Sequence, residues 1–82
     1  MAKSIQQLFR SSDLSLVAAI LTTKKAELVS SKAISPYKFE FHLSPASVCI
    51  ELERAYINDK LTVSAKAIAD NVRLLKSIVK GG

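Results

Sequence analysis

From Tyr37 to Leu43 the chain alternates strictly, with Tyr37, Phe39, Phe41 and Leu43 apolar and Lys38, Glu40 and His42 polar between them. A period of two puts each set on its own side of an extended strand, so the segment predicts a strand with one face in need of a cover. Upstream, "AELVSSKAI" from Ala26 to Ile34 carries β-branched residues but alternates poorly, because Ser30, Ser31 and Lys32 interrupt it. It still reads as a strand. The short connection around Ser35 and Pro36 suits an antiparallel hairpin, with Pro36 outside the ladder.

Helical spacing takes over on either side. In "SSDLSLVAAILTTKK" apolar residues recur at Leu14, Val17, Ala18 and Leu21, and Leu16 and Ile20 widen the stripe to more than half the circumference. Ser11 or Ser12 is placed to cap this helix, Asp13 falls in its electropositive first turn, and Lys24 and Lys25 end it. A second helix opens with Ser44 as cap and Pro45 at the first helical position, where a missing N–H costs nothing. Its stripe is Val48, Cys49, Leu52, Ala55 and Tyr56, and Asn58 and Asp59 supply the turn that follows. Leu61 to Val63 reads as a short extended piece. Ser64 then caps a last helix from Ala65 to Lys80, seamed by Ala65, Ile68, Val72, Leu75 and Val79.

The predicted fold is a small α+β domain, α-β-β-α-α, with an antiparallel β-hairpin packed against helices. A lone hairpin is marginal in water, so the flanking helices must cover its aromatic face. Its open edges call for a third strand from Leu61 to Val63 or for pairing with a second copy of the chain, and a homodimer is expected. With 82 residues the chain makes one domain, in which residues 1–10 form a loosely ordered leader and Gly81 and Gly82 a loosely ordered tail.

The segments "LFRSSDL", "KFEFHL" and "VRLLKSIV" resemble a family of short, uncharacterised bacterial and phage domains. That family has an F-[RK]-[ST]-S-D-L opening, an F-x-F strand and an R-x-L-K closing helix, in the same order across about Leu8 to Val79. The resemblance implies a compact α+β unit frequent in phage and mobile-element genes, and it assigns no activity. The chain departs from the pattern in "TTKKAEL", where a glycine is expected after the first helix.

Twelve Lys and Arg against seven Asp and Glu give a formal charge of +5 and a pI near 9.6, a balance that favours an anionic partner such as nucleic acid. On the last helix Lys66, Arg73 and Lys80 recur every seven residues, which keeps them within about 40° of one another. Lys76 widens the stripe and Asp70 interrupts it. A phosphate backbone fits along this line while the seam stays packed, and Lys24 and Lys25 extend the patch. The competing account is a solvated face with an Asp70–Arg73 pair at i, i+3.

Reactive chemistry has little material. His42 lies beside Glu40 as a base beside its orienter would, yet no nucleophile is placed near them by sequence. Cys49 sits on an apolar stripe as a small buried hydrophobe. With one His, one Cys and no glycine before Gly81, neither a metal centre nor a phosphate-cradling loop is expected, and no cofactor. The single cysteine points to a reducing compartment, and no apolar run reaches the length of a signal peptide or membrane span, so a cytoplasmic protein is expected. The leading expectation is a basic, non-enzymatic, nucleic-acid-associated accessory module, without the spacing of a helix-turn-helix. The alternative is a protein-interaction or oligomerisation module acting through the hairpin edge or the helical seam.

Overall fold

The computed structural model describes residues 8–36 and 38–81. The expectations for residues 1–7, Tyr37 and Gly82, and for the side chain of Lys80, lie outside the described residues. The elements are β1 (Phe9–Ser11), α1 (Leu14–Thr22), β2 (Glu27–Ser35), β3 (Lys38–Ser44), α2 (Ala46–Ile57) and α3 (Ala65–Gly81). The predicted α-β-β-α-α order is therefore present behind one additional strand. The domain is α+β, with a three-stranded antiparallel sheet in the order β1-β3-β2 and helices packed on it. No helix among the described residues is long and apolar enough to cross a membrane.

The additional strand corrects two expectations. Phe9 and Arg10 belong to the sheet and not to a loose leader, and the third strand comes from Phe9–Ser11 while Leu61 to Val63 stays irregular. Phe9 is buried opposite Leu43, and Ser11 stands opposite Phe41. Three residues are too few for alternation to register, although Phe9 in and Arg10 out already follow it.

This arrangement makes β3 the central strand. Phe41 and Leu43 are fully buried, and α1 lies over the core with Leu16, Val17, Ala18, Ala19 and Ile20 all buried in succession. A helix buried along five consecutive residues has neighbours on more than one side. Here α3 packs along one flank of α1 and α2 contacts the other elements through Cys49 and Leu52. Leu75 of α3 is fully buried, and Ile68, Val72 and Val79 of the predicted seam pack against the core, whereas Ala65 is exposed.

β2 explains its own poor alternation. Its register runs Leu28↔Leu43 and then Ser30↔His42, and later Ala33↔Phe39 and then Ser35↔Lys38, so Val29 and Ile34 are extra residues at two bulges. Both are about half exposed, at 54% and 50%. The core-facing positions of β2 are left to Leu28, Ser31 and Ala33, so the cover thins along β3 from Leu43 towards the hairpin end. β1 also stops opposite Phe41. Phe39 consequently has no β1 neighbour and, though it packs against the core, is less deeply buried than Phe41.

Helix ends follow local chemistry, with two shifts from expectation. The cap of α1 is Asp13, not Ser11 or Ser12: its backbone is extended and its Oδ1 accepts from Ser15 N at 3.0 Å and Leu16 N at 3.3 Å. A carboxylate there satisfies two orphan donors and meets the positive end of the helix dipole. Ser11 Oγ accepts from Asp13 N at 3.1 Å and fixes the approach. Pro45 is the N-cap of α2 and not its first helical residue, because Ser44 is still in β3, paired with Glu27. Ser64 caps α3 as predicted, accepting from Ala67 N at 3.3 Å.

The turn that lacks the expected glycine is made by Lys24 at φ 62°, and Asp59 closes α2 at φ 58°. Asp59 N donates to Tyr56 O and Lys60 N to Ala55 O, the paired bonds of a Schellman ending. A left-handed backbone costs a non-glycine residue about 1 kcal/mol or more. Lys24→Gly should therefore stabilise the domain by about 1 kcal/mol in urea unfolding, and no gain would mean that the Lys24 side chain offsets the strain. Phe41→Ala should cost about 3 to 5 kcal/mol, and Phe39→Ala less, because Phe39 is only partly buried at the margin of the core. Equal losses at the two sites would contradict the thinning core.

Candidate nucleic-acid interface

α3 runs antiparallel to α1, because Asn71 Nδ2 donates to Thr22 Oγ1 at 2.8 Å while Leu14, at the start of α1, shares a hollow with Val79. Its apolar seam is turned to α1, which leaves the opposite flank in solvent. There the Lys66 and Arg73 side chains are 88% and 78% exposed. Asp70 lies between them and receives both, with Lys66 Nζ at 3.5 Å from Oδ2 and Arg73 Nη1 at 3.7 Å from Oδ1. The sequence spacing indicated the second pair alone. Exposed pairs of this kind are worth about 0.3 to 0.5 kcal/mol, so a phosphate competes with Asp70 at little cost.

The remaining predicted contacts fall at the two ends of α3. Lys24 and Lys25 occupy the exposed turn after α1, and Lys25 lines a hollow with Thr62, Ser64 and Ala67, which places it beside the first turn of α3. Lys76 is exposed but rotated about 60° from Arg73 around the helix. It stands instead beside Lys38 of β3, in a hollow against the sheet. The structure thus brings Lys24, Lys25 and Lys66 towards one end and sets Lys76 apart at the other. Lys38 was not a predicted site residue. Nothing in its spacing could reveal it, since its proximity to Lys76 depends on the packing of α3 over the open end of the sheet.

On the outer face of the sheet, Ser30 Oγ is 2.9 Å from His42 Nδ1, and His42 Nε2 is 3.0 Å from Glu40 Oε1. With Nε2–H donating to the carboxylate, Nδ1 accepts from the serine hydroxyl. Sequence reading paired His42 with Glu40 but missed Ser30, because the bulge at Val29 moves the serine into register with the histidine. The order hydroxyl, imidazole, carboxylate is that of an activated nucleophile. Acyl transfer also needs preorganised donors for the oxyanion and a concave place for the substrate. Neither the hollow shared by Leu14 and Val79 nor that beside Lys25 is lined by Ser30, Glu40 or His42. The Ser30–His42 bond ties β2 to β3.

Cys49 is completely buried, and burial pushes its thiol above the ordinary 9.0. Among the described residues no three His, Cys, Asp or Glu side chains gather as metal ligands. Compared with known protein families, curated proteins and solved structures, the chain matches none.

These placements lead to three expected outcomes. Hydrolysis of p-nitrophenyl acetate should be the same for the wild type and for Ser30→Ala and His42→Ala; a matched loss in both variants would make the trio catalytic. Iodoacetamide should label Cys49 no faster than the protein opens. Because the unfolded thiol ionises around 9.0 and the folded one retains its proton to higher pH, unfolding releases a proton in that window. Stability should fall as pH rises past 9.0 more steeply in the wild type than in Cys49→Ala.

Proposed function

We propose that the protein is a small, basic, non-enzymatic accessory module that associates with nucleic acid in the cytoplasm of a prokaryotic host, as phage or mobile-element proteins do. Its phosphate contacts are Lys66, Arg73, Lys76 and Lys80 of α3, with Lys24 and Lys25 extending the patch. The observation that carries this reading is the division of α3. Its apolar seam is covered by α1, while Lys66 and Arg73 stay in solvent, held by weak pairs to one carboxylate. A formal charge of +5 adds long-range attraction to a polyanion. Contacts of this kind are to the backbone and carry no sequence information.

A second reading is favoured by the edge of the sheet. β2 has no strand on its outer side among the described residues, and it exposes Val29 and Ile34 there. Strand addition by a protein partner or a second copy would use that edge, and homodimerisation belongs to this reading. The two bulges and Lys32 work against it, since both features discourage edge pairing.

Fluorescence anisotropy with labelled DNA and RNA across a salt series separates the two. Phosphate contacts make affinity fall steeply with salt, by about 0.9 logarithmic units per contact for each tenfold rise in salt on duplex DNA. Replacing Lys66, Arg73 and Lys76 together by Gln should lower the salt slope by up to about three and leave folding intact. Asp70→Asn should raise affinity by about two- to fivefold, because it frees both cations. Absence of salt-dependent binding by the wild type at low ionic strength would refute the reading and leave the charge as a solvated face.

A further inference from the structure

The hollow at the open end of the sheet has a structural cause. β1 stops opposite Phe41, and the chain turns away through Ser12 and Asp13 into α1, so among the described residues no β1 residue pairs opposite Phe39. Ala33 is all that β2 offers across from it. The last turns of α3 close the gap from above and leave a hollow of about 220 Å³ lined by Ser12, Leu14, Lys38, Phe39, Lys76 and Val79, with Phe41 at its base. Its walls are hydrocarbon and aromatic, contributed by α1, β3 and α3. Its polar lining residues, among those described, are Ser12, Lys38 and Lys76.

Those two lysines come from different elements and have no carboxylate partner among the described residues. Asp70, the acid that receives Lys66 and Arg73, does not line the hollow. Two cationic side chains lining one apolar hollow favour an anion whose apolar body covers Phe39. A body rich in polar edges, such as a nucleobase, fits poorly, because its donors and acceptors would meet Leu14, Phe39 and Val79 without partners. A body of hydrocarbon or a single ring loses nothing there. Size agrees, since a cavity of about 150 Å³ already holds benzene and this one has about 220 Å³.

We propose that this hollow is a binding site for a small apolar acid, a single ring or short acyl chain bearing one carboxylate, whose body packs on Phe39, Leu14 and Val79 while Lys38 and Lys76 hold the carboxylate. Phe39 offers the ring face for an offset or edge contact. Ser12 Oγ is available as a further donor. The site is independent of the nucleic-acid reading, which uses the far flank of α3 and shares Lys76 alone with it.

The probes are phenylpropanoate, its alcohol and its amine, titrated into isotopically labelled protein and followed by amide chemical shifts. The acid should cause saturable shifts confined to Ser12, Leu14, Lys38, Phe39, Lys76 and Val79. The alcohol should bind about fivefold more weakly or worse, and the amine not detectably. Lys38→Gln with Lys76→Gln, both at exposed positions, should bring the acid down to the affinity of the alcohol. Val79→Phe should abolish binding of both, and the lysine variant decides the matter if Val79→Phe fails to fold. Equal binding of acid, alcohol and amine, or no shifts at these residues at millimolar acid, overturns the proposal. A short peptide ending in phenylalanine carries the same ring and carboxylate; if it binds more tightly than the free acid, the assignment to a small molecule is wrong. Loss of DNA binding in the Lys66, Arg73 and Lys76 variant leaves this outcome untouched, because the shifts are read without nucleic acid.

Discussion

The structure depends on one core shared by the inner face of β3 and the buried run of α1. Phe41 and Leu43 join Leu16, Val17, Ala18 and Ile20 of that helix in a single cluster, all out of water. Burying an aromatic or branched side chain contributes about 1.5 to 3 kcal/mol, and so small a domain has few such side chains to bury. Every other element finds its place relative to this pair. β1 and β2 flank β3, α2 contributes Cys49 and Leu52, and α3 lies along α1 with Leu75. The charged flank of α3 is in solvent because the other flank is needed by α1.

Long periodic segments were legible in advance. The alternation through Phe39, Phe41 and Leu43 identified β3, and the spacing of Ile68, Val72, Leu75 and Val79 identified the inner side of α3. Short or shifted features were not. β1 has three residues, fewer than one full repeat of anything but a strand, and its pairing with β3 is a long-range event that leaves no local trace. The bulges at Val29 and Ile34 broke the alternation of β2, and with it any view of Ser30 opposite His42. The proximity of Lys38 and Lys76 is a product of helix packing, which spacing along the chain does not encode. The turn after α1 needs a left-handed residue, which Lys24 supplies at a cost in strain and which no sequence period announces.

Charge on α3 is organised more tightly than its count implies. One carboxylate, Asp70, draws in two cations, so the stripe consists of a partly neutralised centre and freer groups towards the ends. A polyanion approaching that flank would meet preoriented side chains, because Lys66 and Arg73 are already drawn along the helix surface. The same carboxylate opposes an incoming phosphate only weakly, since both of its pairs are exposed.

The brevity of β1 has a consequence for the order in which the molecule assembles and loosens. β2 and β3 are neighbours in the chain and close locally, on the microsecond timescale typical of hairpins. β1 must return across the whole of α1 and β2 to pair with β3, so its loop-closure entropy is lost before its few bonds form. A strand of three residues at a sheet edge lies at the low end of the spectrum of local opening free energies. Its amides should then exchange with solvent ahead of those of β3, and Ser12, which follows directly from it, moves with each such opening. The Ser12 wall of the hollow beside Phe39 is thus tied to the shortest strand of the sheet.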